Sequence, residues 1–187
     1  AGTGKTVAAM HRARWLAENR LFKPTEKILF TTFTSNLAAD IQANLRLVCD
    51  RDQLSRVEVV NLDAWVSAFL RGRGESRKIV FPGDEKIDDF WNEAVSNYGQ
   101  NIGLETKFFQ DEWNSVVQAN SVSTRDDYLR APRIGRGTRL HRKKKAEIWN
   151  VFEAYRARLD EEGFIEPDDA YRLARETLTG KPHTLPY

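Results

Sequence analysis

The residues Gly2-Thr3-Gly4-Lys5-Thr6 open the chain and decide how its fold is interpreted. They match the last five positions of the phosphate-binding pattern G-x-x-x-x-G-K-[ST]. In this pattern the glycines let the backbone wrap around a phosphate, and the positive end of the following helix adds to the attraction. We expect Lys5 to reach the β- and γ-phosphates of a nucleotide and the Thr6 hydroxyl to bind Mg²⁺. The alternative is a glycine-rich turn before an ordinary helix.

The segments after this turn alternate between helix and strand patterns. Residues 5–19 predict a largely buried helix, residues 27–33 (KILFTTF) a buried strand, and residues 36–48 a second helix. A short strand at 57–61 and a helix that begins at Asp63 as its N-cap are expected next. This alternation is typical of a parallel sheet covered by helices on both faces, so the predicted fold class is α/β.

The character of the sequence changes after Arg71. A segment rich in glycine and arginine leads into a region of helix patterns without strand alternation. The longest of these helices, at 142–162, carries one apolar stripe and ends at Gly163. We therefore predict an inserted all-α subdomain over 72–165, with 1–71 and 166–187 forming the α/β domain.

Composition excludes several classes of site. The chain has one cysteine, Cys49, and three histidines among 187 residues, so neither an internal disulfide nor a zinc site is expected. No apolar run approaches the length of about 20 residues that spans a bilayer. We expect a cytoplasmic protein without a membrane partner.

Two further stretches indicate contact with a polyanion. From Tyr128 to Ala146 there are eight Lys or Arg and no Asp or Glu, although this run is also compatible with a solvated linker. The stretch TTFTSN at 31–36 follows the first strand, where open α/β sheets hold ligands. There Phe33 is suited to stack on a base, and Thr34 and Asn36 to bind a phosphate. An ordinary strand-to-helix turn is the alternative.

Together these stretches resemble the UvrD/Rep-like superfamily 1 DNA helicases. Residues 1–16 are similar to the phosphate loop and first helix of that family, and 28–41 (ILFTTFTSNLAADI) to its next motif, which touches single-stranded DNA. Residues 57–70 (VEVVNLDAWVSAFL) lie where the family has a strand end on the DNA path, with Asn61 and Asp63 in place of the usual Thr and His. Residues 140–178 are similar to the approach to the Walker B strand.

The resemblance implies a partial RecA-like P-loop NTPase sheet (subdomain 1A) with a helical insertion (subdomain 1B). It implies an ATP-dependent DNA helicase that translocates on single-stranded DNA and unwinds duplex in the 3′-to-5′ direction, in DNA repair. The expected cofactors are ATP and Mg²⁺. The residues expected to bind nucleotide are Gly2, Thr3, Gly4, Lys5 and Thr6. The residues expected to contact DNA are Thr32, Phe33, Thr34, Asn36, Asn61, Trp65, Arg136, Arg139, Arg142, Lys143 and Lys144.

The resemblance also implies that the chain is an internal piece of a longer motor. The Walker B carboxylates and the second motor domain are expected beyond Tyr187, so we expect the piece alone to be inactive and to associate through an exposed sheet edge. Two other classes stay open from the residues alone. One is a different phosphate-loop enzyme, and the other is a non-catalytic module that binds nucleic acid or protein.

Overall fold

A computed structural model describes residues 4–21, 23 and 25–180. The chain divides into two compact units, the first formed by 1–75 with 171–187 and the second by 76–170. Unit 1 holds a small sheet with helices around it, and unit 2 is mainly helical. Each unit has its own hydrophobic core.

Unit 1 is built on two parallel strands joined by a helical connection. Strand β1 pairs with strand β2 in register, from Ile28 opposite Val57 to Thr32 opposite Asn61. The predicted alternation of helix and parallel strand is therefore confirmed. Its elements are α1 (Lys5–Asn19), β1 (Ile28–Thr32), α2 (Ser35–Val48), α3 (Arg51–Ser55), β2 (Val57–Asn61) and α4 (Leu62–Arg71).

Helix α2 packs on the sheet through an apolar stripe at helical spacing. Ile41 and Leu45 are buried with Met10 of α1 and contact the partly buried Val59 of β2. The stripe excludes water from one face of the sheet, which is the main driving force for this packing. The sequence pattern of α2 thus specifies both its secondary structure and its buried face.

Helix α1 differs from the prediction of a largely buried helix. Only Met10, Ala13 and Ala17 are buried, whereas Val7 and Trp15 are 52% and 49% exposed. The three buried residues lie on one face, because spacings of three and four residues place side chains on the same side of a helix. Among the described residues, the hydrophobic core clusters of unit 1 contain buried side chains from this face of α1 only.

Unit 2 is an aromatic-rich helical unit. Trp91 stacks on Tyr155 with ring centroids 3.8 Å apart, and Trp113 and Phe152 meet at 5.3 Å. Its elements are β3 (Lys78–Ile79), α5 (Glu85–Tyr98), a 3₁₀ turn (Gln100–Ile102), α6 (Thr106–Glu112), a π-helical segment (Trp113–Gln118), α7 (Arg125–Arg130), α8 (Arg142–Glu161) and β4 (Phe164–Ile165). Helix α9 (Pro167–Thr179) runs across the division at 170–171.

The expectation of an all-α insertion is wrong in one respect, because unit 2 contains a short parallel strand pair. Lys78 lies opposite Phe164, the Lys78 N–H donates to the Gly163 carbonyl at 2.8 Å, and the Val80 N–H donates to Ile165 at 3.0 Å. Strands of two residues are too short to show a period in sequence. The pair fastens the start of the unit to its end.

The π-helical segment directs two side chains to one buried carboxylate. Trp113 Nε1 and Gln118 Nε2 each donate to Glu166 Oε2 at 2.7 Å, and the Tyr155 hydroxyl donates to Oε1 at 2.8 Å. Burial raises the pKa of Glu166 despite these three donors. The carboxylate thereby joins the π segment, α8 and the start of α9.

Candidate functional site

The turn before α1 has the backbone conformation that the glycine pattern predicts. Gly4 has φ of +67°, in the left-handed region that favours glycine, and a Cβ there would meet no atom within 4 Å. Lys5 and Thr6 follow at the start of α1, and both side chains are exposed. Gly2 and Thr3, also predicted to bind nucleotide, lie outside the described residues.

The first turn of α1 offers backbone donors to an anion. Gly4 is the N-cap and has no side chain to accept from them, and the first helical bond runs from Ala8 N–H to the Gly4 carbonyl at 2.9 Å. The N–H groups of Lys5, Thr6 and Val7 therefore have no acceptor within the helix. With the Lys5 ammonium and the Thr6 hydroxyl beside them, these donors fit a phosphate and its Mg²⁺.

The packing of α1 shows which edge of the sheet this turn occupies. Ala13 and Ala17 in the second half of α1 cluster with Ile28, where β1 begins, while Met10 clusters with Val59 farther along β2. The Arg56 guanidinium also donates to the carbonyl of Leu21 just beyond α1, at 2.7 Å. Helix α1 therefore runs opposite to the strands, and its first turn lies toward their carboxyl ends.

The carboxyl end of β1 uses two of the predicted DNA-binding threonines for internal hydrogen bonds. Thr32 is buried, at 6% exposure, and its hydroxyl donates to the Thr34 carbonyl at 2.8 Å. The Thr34 hydroxyl caps α2 by accepting from Leu37 N–H at 3.3 Å. The expected DNA contact by the Thr32 side chain is thus corrected, because that side chain points into the protein. Thr34 and Asn36 remain exposed.

Asn61 links the ends of the two strands. Its Nδ2 donates to the Phe33 carbonyl at 3.0 Å, and its Oδ1 caps α4 by accepting from Ala64 N–H at 3.0 Å. The predicted N-cap, Asp63, instead lies in the first turn of α4 and accepts a hydrogen bond from the Tyr171 hydroxyl. Phe33 is held at this junction with its side chain 86% exposed.

Trp65, another predicted DNA contact, is partly buried against its own helix. Its ring stacks on Phe69 with centroids 5.0 Å apart, and the Arg73 guanidinium lies 3.6 Å from the Phe69 ring centroid. Residues four apart in a helix are neighbours on its surface, so the sequence spacing of Trp65, Phe69 and Arg73 explains why their side chains stack.

The basic run of unit 2 divides into an anchored part and an exposed part. Arg133 and Arg136 bind the fully buried Glu112, with Arg133 Nε 2.5 Å from Oε1 and Arg136 Nε 3.1 Å from Oε2. The Tyr128 hydroxyl donates to the same carboxylate at 3.0 Å. Arg136 was predicted to bind DNA. Its guanidinium binds Glu112 in this structure, but the single carboxylate balances only one of the two arginine charges, so the DNA contact of Arg136 stays a prediction. No sequence signal marked Glu112, which is the last residue of α6.

Lys145 also belongs to the anchored part. It is 8% exposed, and its ammonium donates to the carbonyls of Tyr128, Leu129 and Ala131 at 3.1–3.3 Å. These carbonyls end α7, so the lysine satisfies acceptors that the helix leaves unpaired.

The exposed part consists of cations for which the described residues provide no ion-pair partner. Three of them lie in the first turn of α8, which contains no acidic residue. The N-cap of this helix, His141, makes no side-chain hydrogen bond to the helix backbone. Cations are unfavourable at the positive end of a helix, which makes this turn attractive to an anion. Arg130, Arg139, Arg142 and Lys143 are exposed, and Lys144, which belongs to the same group, is half-buried.

Residues 4–21, 23 and 25–180 contain no cluster of three or more His, Cys, Asp or Glu that is able to hold a metal ion. None of their helices combines the length and the apolar character needed to cross a bilayer. The expected Mg²⁺ does not require such a cluster, because Mg²⁺ at a nucleotide site is held mainly by phosphates and water and needs few protein oxygens, such as the Thr6 hydroxyl.

The family model for the UvrD/REP helicase N-terminal domain matches residues 1–186, nearly the whole chain. No curated protein matches the sequence.

Proposed function

The chain belongs to the UvrD/REP helicase N-terminal domain family, and we propose that it forms part of a RecA-like motor domain that binds ATP·Mg²⁺ and single-stranded DNA at one edge of its sheet. Family membership confirms the resemblance drawn from the motifs and places the chain in a superfamily 1 helicase. It also favours a motor over the two other classes that the residues alone left open. In this proposal unit 1 is subdomain 1A and unit 2 is subdomain 1B.

The nucleotide part of the proposal is supported by the turn before α1. The donors of Lys5, Thr6 and Val7 point out of the helix end, and Gly4 leaves their approach open. Lys5 would neutralise the β- and γ-phosphates, and Thr6 would supply one oxygen to Mg²⁺. Bound ATP supplies the free energy of hydrolysis that drives movement, and these residues hold its phosphates.

The DNA part of the proposal is carried by Phe33. The Phe33 ring is 86% exposed and so is accessible to a base, and the Asn61 amide holds the carbonyl of the same residue. Base stacking on such a ring is worth about 1–3 kcal/mol and tolerates any base. A motor that moves along DNA needs contacts of this sequence-independent kind.

We further propose that the full motor moves 3′ to 5′, acts in DNA repair, and requires a second motor domain. In the described residues, neither β1 nor β2 ends in a pair of carboxylates: β1 leads into Phe33-Thr34 and β2 into Leu62-Asp63. A carboxylate that orients the attacking water is needed for rapid hydrolysis. We therefore expect this chain alone to bind nucleotide without turning it over.

Fluorescence anisotropy with a labelled oligo-dT strand tests the DNA part. Phe33→Ala should weaken binding by about five- to 150-fold, the equivalent of about 1–3 kcal/mol. Leu47→Ala is the matched control, because Leu47 is a similarly exposed apolar side chain (82%) on the outer part of α2. Equal affinity of Phe33→Ala and the unmodified chain would refute the assignment of this site.

A second experiment tests the nucleotide part independently. Binding of a fluorescent ATP analogue should require Mg²⁺ and should be lost in Lys5→Ala, while DNA binding of the same variant stays intact. Lys23→Ala, which removes an exposed lysine outside the turn, is the control. Analogue binding that survives in Lys5→Ala would exclude the proposed phosphate site.

A further inference from the structure

Three helices of unit 1 begin near the edge of the sheet where the strands end. Helices α2 and α4 closely follow β1 and β2, and the first turn of α1 lies toward the same edge. The start of a helix attracts anions, because its first N–H groups lack acceptors within the helix and its dipole is positive there. Each of these three helix starts therefore favours a phosphate, unless the protein places a negative charge of its own beside it.

Of these three helices, only α4 has an acidic residue in its first turn. That residue is Asp63, whereas the first turns of α1 and α2 contain none. The caps of α2 and α4 are otherwise alike. The Thr34 hydroxyl accepts from Leu37 N–H at 3.3 Å, and in α4 the Asn61 amide oxygen makes the equivalent bond at 3.0 Å. The starts of α2 and α4 thus differ mainly in charge.

The Asp63 carboxylate has a fixed position. The Tyr171 hydroxyl, which belongs to the same unit, donates a hydrogen bond to Asp63 Oδ1. Asp63 is half-buried, so water screens its charge less than it screens that of a fully exposed carboxylate. A negative charge held in the first turn also offsets the positive end of the helix dipole. The start of α4 therefore repels a phosphate, whereas the start of α2 favours one.

The Asp63 charge also lies close to the proposed stacking site. The Asn61 amide donates to the Phe33 carbonyl at 3.0 Å, and Asp63 is two residues beyond Asn61. Successive Cα atoms are about 3.8 Å apart, so the Cα atoms of Asn61 and Asp63 are at most about 8 Å apart. This separation is comparable with the Debye length of about 8–10 Å in salt of roughly physiological concentration. The phosphates of a strand that stacks on Phe33 are therefore within reach of this charge.

We propose that Asp63 is a specificity-determining residue, which keeps the phosphates of single-stranded DNA away from the start of α4. A strand that stacks a base on Phe33 then runs its backbone along the other side of the ring, past the exposed Thr34 and Asn36 at the start of α2. The charge thereby limits the strand to one path across the edge of the sheet. This inference rests on the proposed function and adds to it the residue that selects the path.

Fluorescence anisotropy with labelled oligo-dT at several salt concentrations tests this role. Asp63→Asn removes the charge but keeps an oxygen that accepts from Tyr171. We expect it to bind about two- to sixfold more tightly, which is the effect of one charge about 8 Å from a phosphate at a dielectric constant of about 40–80. The gain should shrink as the salt concentration rises, because salt screens the repulsion in the unmodified chain. Loss of a merely structural contact would instead weaken binding or leave it unchanged at every salt concentration.

Two further variants separate the charge from other effects. Asp63→Glu keeps the charge and should bind like the unmodified chain. Asp52→Asn is the matched control, because Asp52 is an exposed carboxylate in the first turn of α3, which precedes β2 and so lies at the opposite edge of the sheet. The affinity of this control should equal that of the unmodified chain.

The outcomes distinguish the role of Asp63 from the DNA site itself. If Asp63→Asn binds no more tightly than the unmodified chain while Phe33→Ala still loses affinity, the role of Asp63 is refuted and the DNA site stands. An equal gain in Asp52→Asn would also refute that role, since the effect would then come from net charge alone. If the unmodified chain does not bind oligo-dT at all, the proposed function fails and the role of Asp63 fails with it.

Discussion

Replacing Glu112 by alanine should destabilise unit 2 more than any other single change of a charged residue that we consider. Glu112 is fully buried and accepts from Arg133, Arg136 and Tyr128, while the two arginine side chains are only 11% and 19% exposed. Removing one member of a buried ion pair costs about 3–5 kcal/mol, because the partner charges stay buried without compensation. This is a large fraction of the roughly 5–15 kcal/mol that stabilises a typical domain.

Urea unfolding followed by tryptophan fluorescence measures the effect. For a urea m-value of about 2 kcal/mol/M, the loss corresponds to a fall of about 1.5–2.5 M in the midpoint. Glu93→Ala is the matched control, because its carboxylate also pairs with an arginine of unit 2, Arg158 at 3.3 Å, but is 56% exposed. Exposed pairs contribute about 0–1 kcal/mol, so its midpoint should move by less than about 0.5 M. Similar shifts in the two variants would contradict the assignment of Glu112 as the anchor of Arg133 and Arg136.

Three other predictions concern the strand junction, the first turn of α8 and the response to pH. Asn61→Ala should cost about 1 kcal/mol through the lost cap of α4 and should weaken oligo-dT binding. Asn61→Asp keeps the cap but loses the donor to Phe33, so it should weaken binding at nearly full stability. Binding as tight as that of the unmodified chain in this variant would count against the junction. The double change Lys143→Glu and Lys144→Glu should raise the thermal unfolding midpoint, because acidic side chains are favourable at the start of a helix. It should also reduce the slope of log affinity for duplex DNA against log salt concentration, by roughly 0.9 for each lost phosphate contact. A fall in the midpoint would be inconsistent with this account. Burial raises the pKa of Glu112, but the hydrogen bonds and charge of Arg133 outweigh that effect, so its net pKa is lowered and its stabilisation is lost as the pH falls below about 4.5. Burial raises the pKa of Glu166, so its contribution is greatest in acid and is lost as the pH rises. The difference in urea midpoint between the unmodified chain and Glu112→Gln should therefore shrink as the pH falls, whereas the difference for Glu166→Gln should shrink as the pH rises.

Long elements of the fold were predictable because their periodicity repeats several times. Helix α1 over 5–19 and strand β2 over 57–61 have the bounds that the sequence predicts. Helix α3 was not predicted, since five residues complete barely one helical period, although Asp50 and Gln53 form a capping box that marks its start. The sequence predicted more burial of α1 than the structure has. A sequence shows which residues are apolar, but it does not show which faces of a helix pack against other elements.

The candidate site was predictable where its chemistry is local. The turn at Gly4 and the exposed ring of Phe33 lie in short motifs with a known chemical purpose. The basic run is different, since its eight cations look alike in sequence. Arg133 and Arg136 both bind Glu112, which lies 21 and 24 positions earlier. Only the folded chain shows that pairing, and so only the fold separates the anchoring cations from those left for a ligand.

The π-helical segment at Trp113–Gln118 has a consequence for the variation that unit 2 tolerates. Such a segment holds one residue more than the α-helix that would replace it. Asn114 and Ser115 are exposed, so the deletion of either removes little packing by itself. The deletion of one of them would convert the segment to an α-helix, so the residues that follow it would keep their helical register. Unit 2 should therefore tolerate the loss of one residue here better than in a regular part of its α-helices, where a deletion would turn every later residue by about 100°.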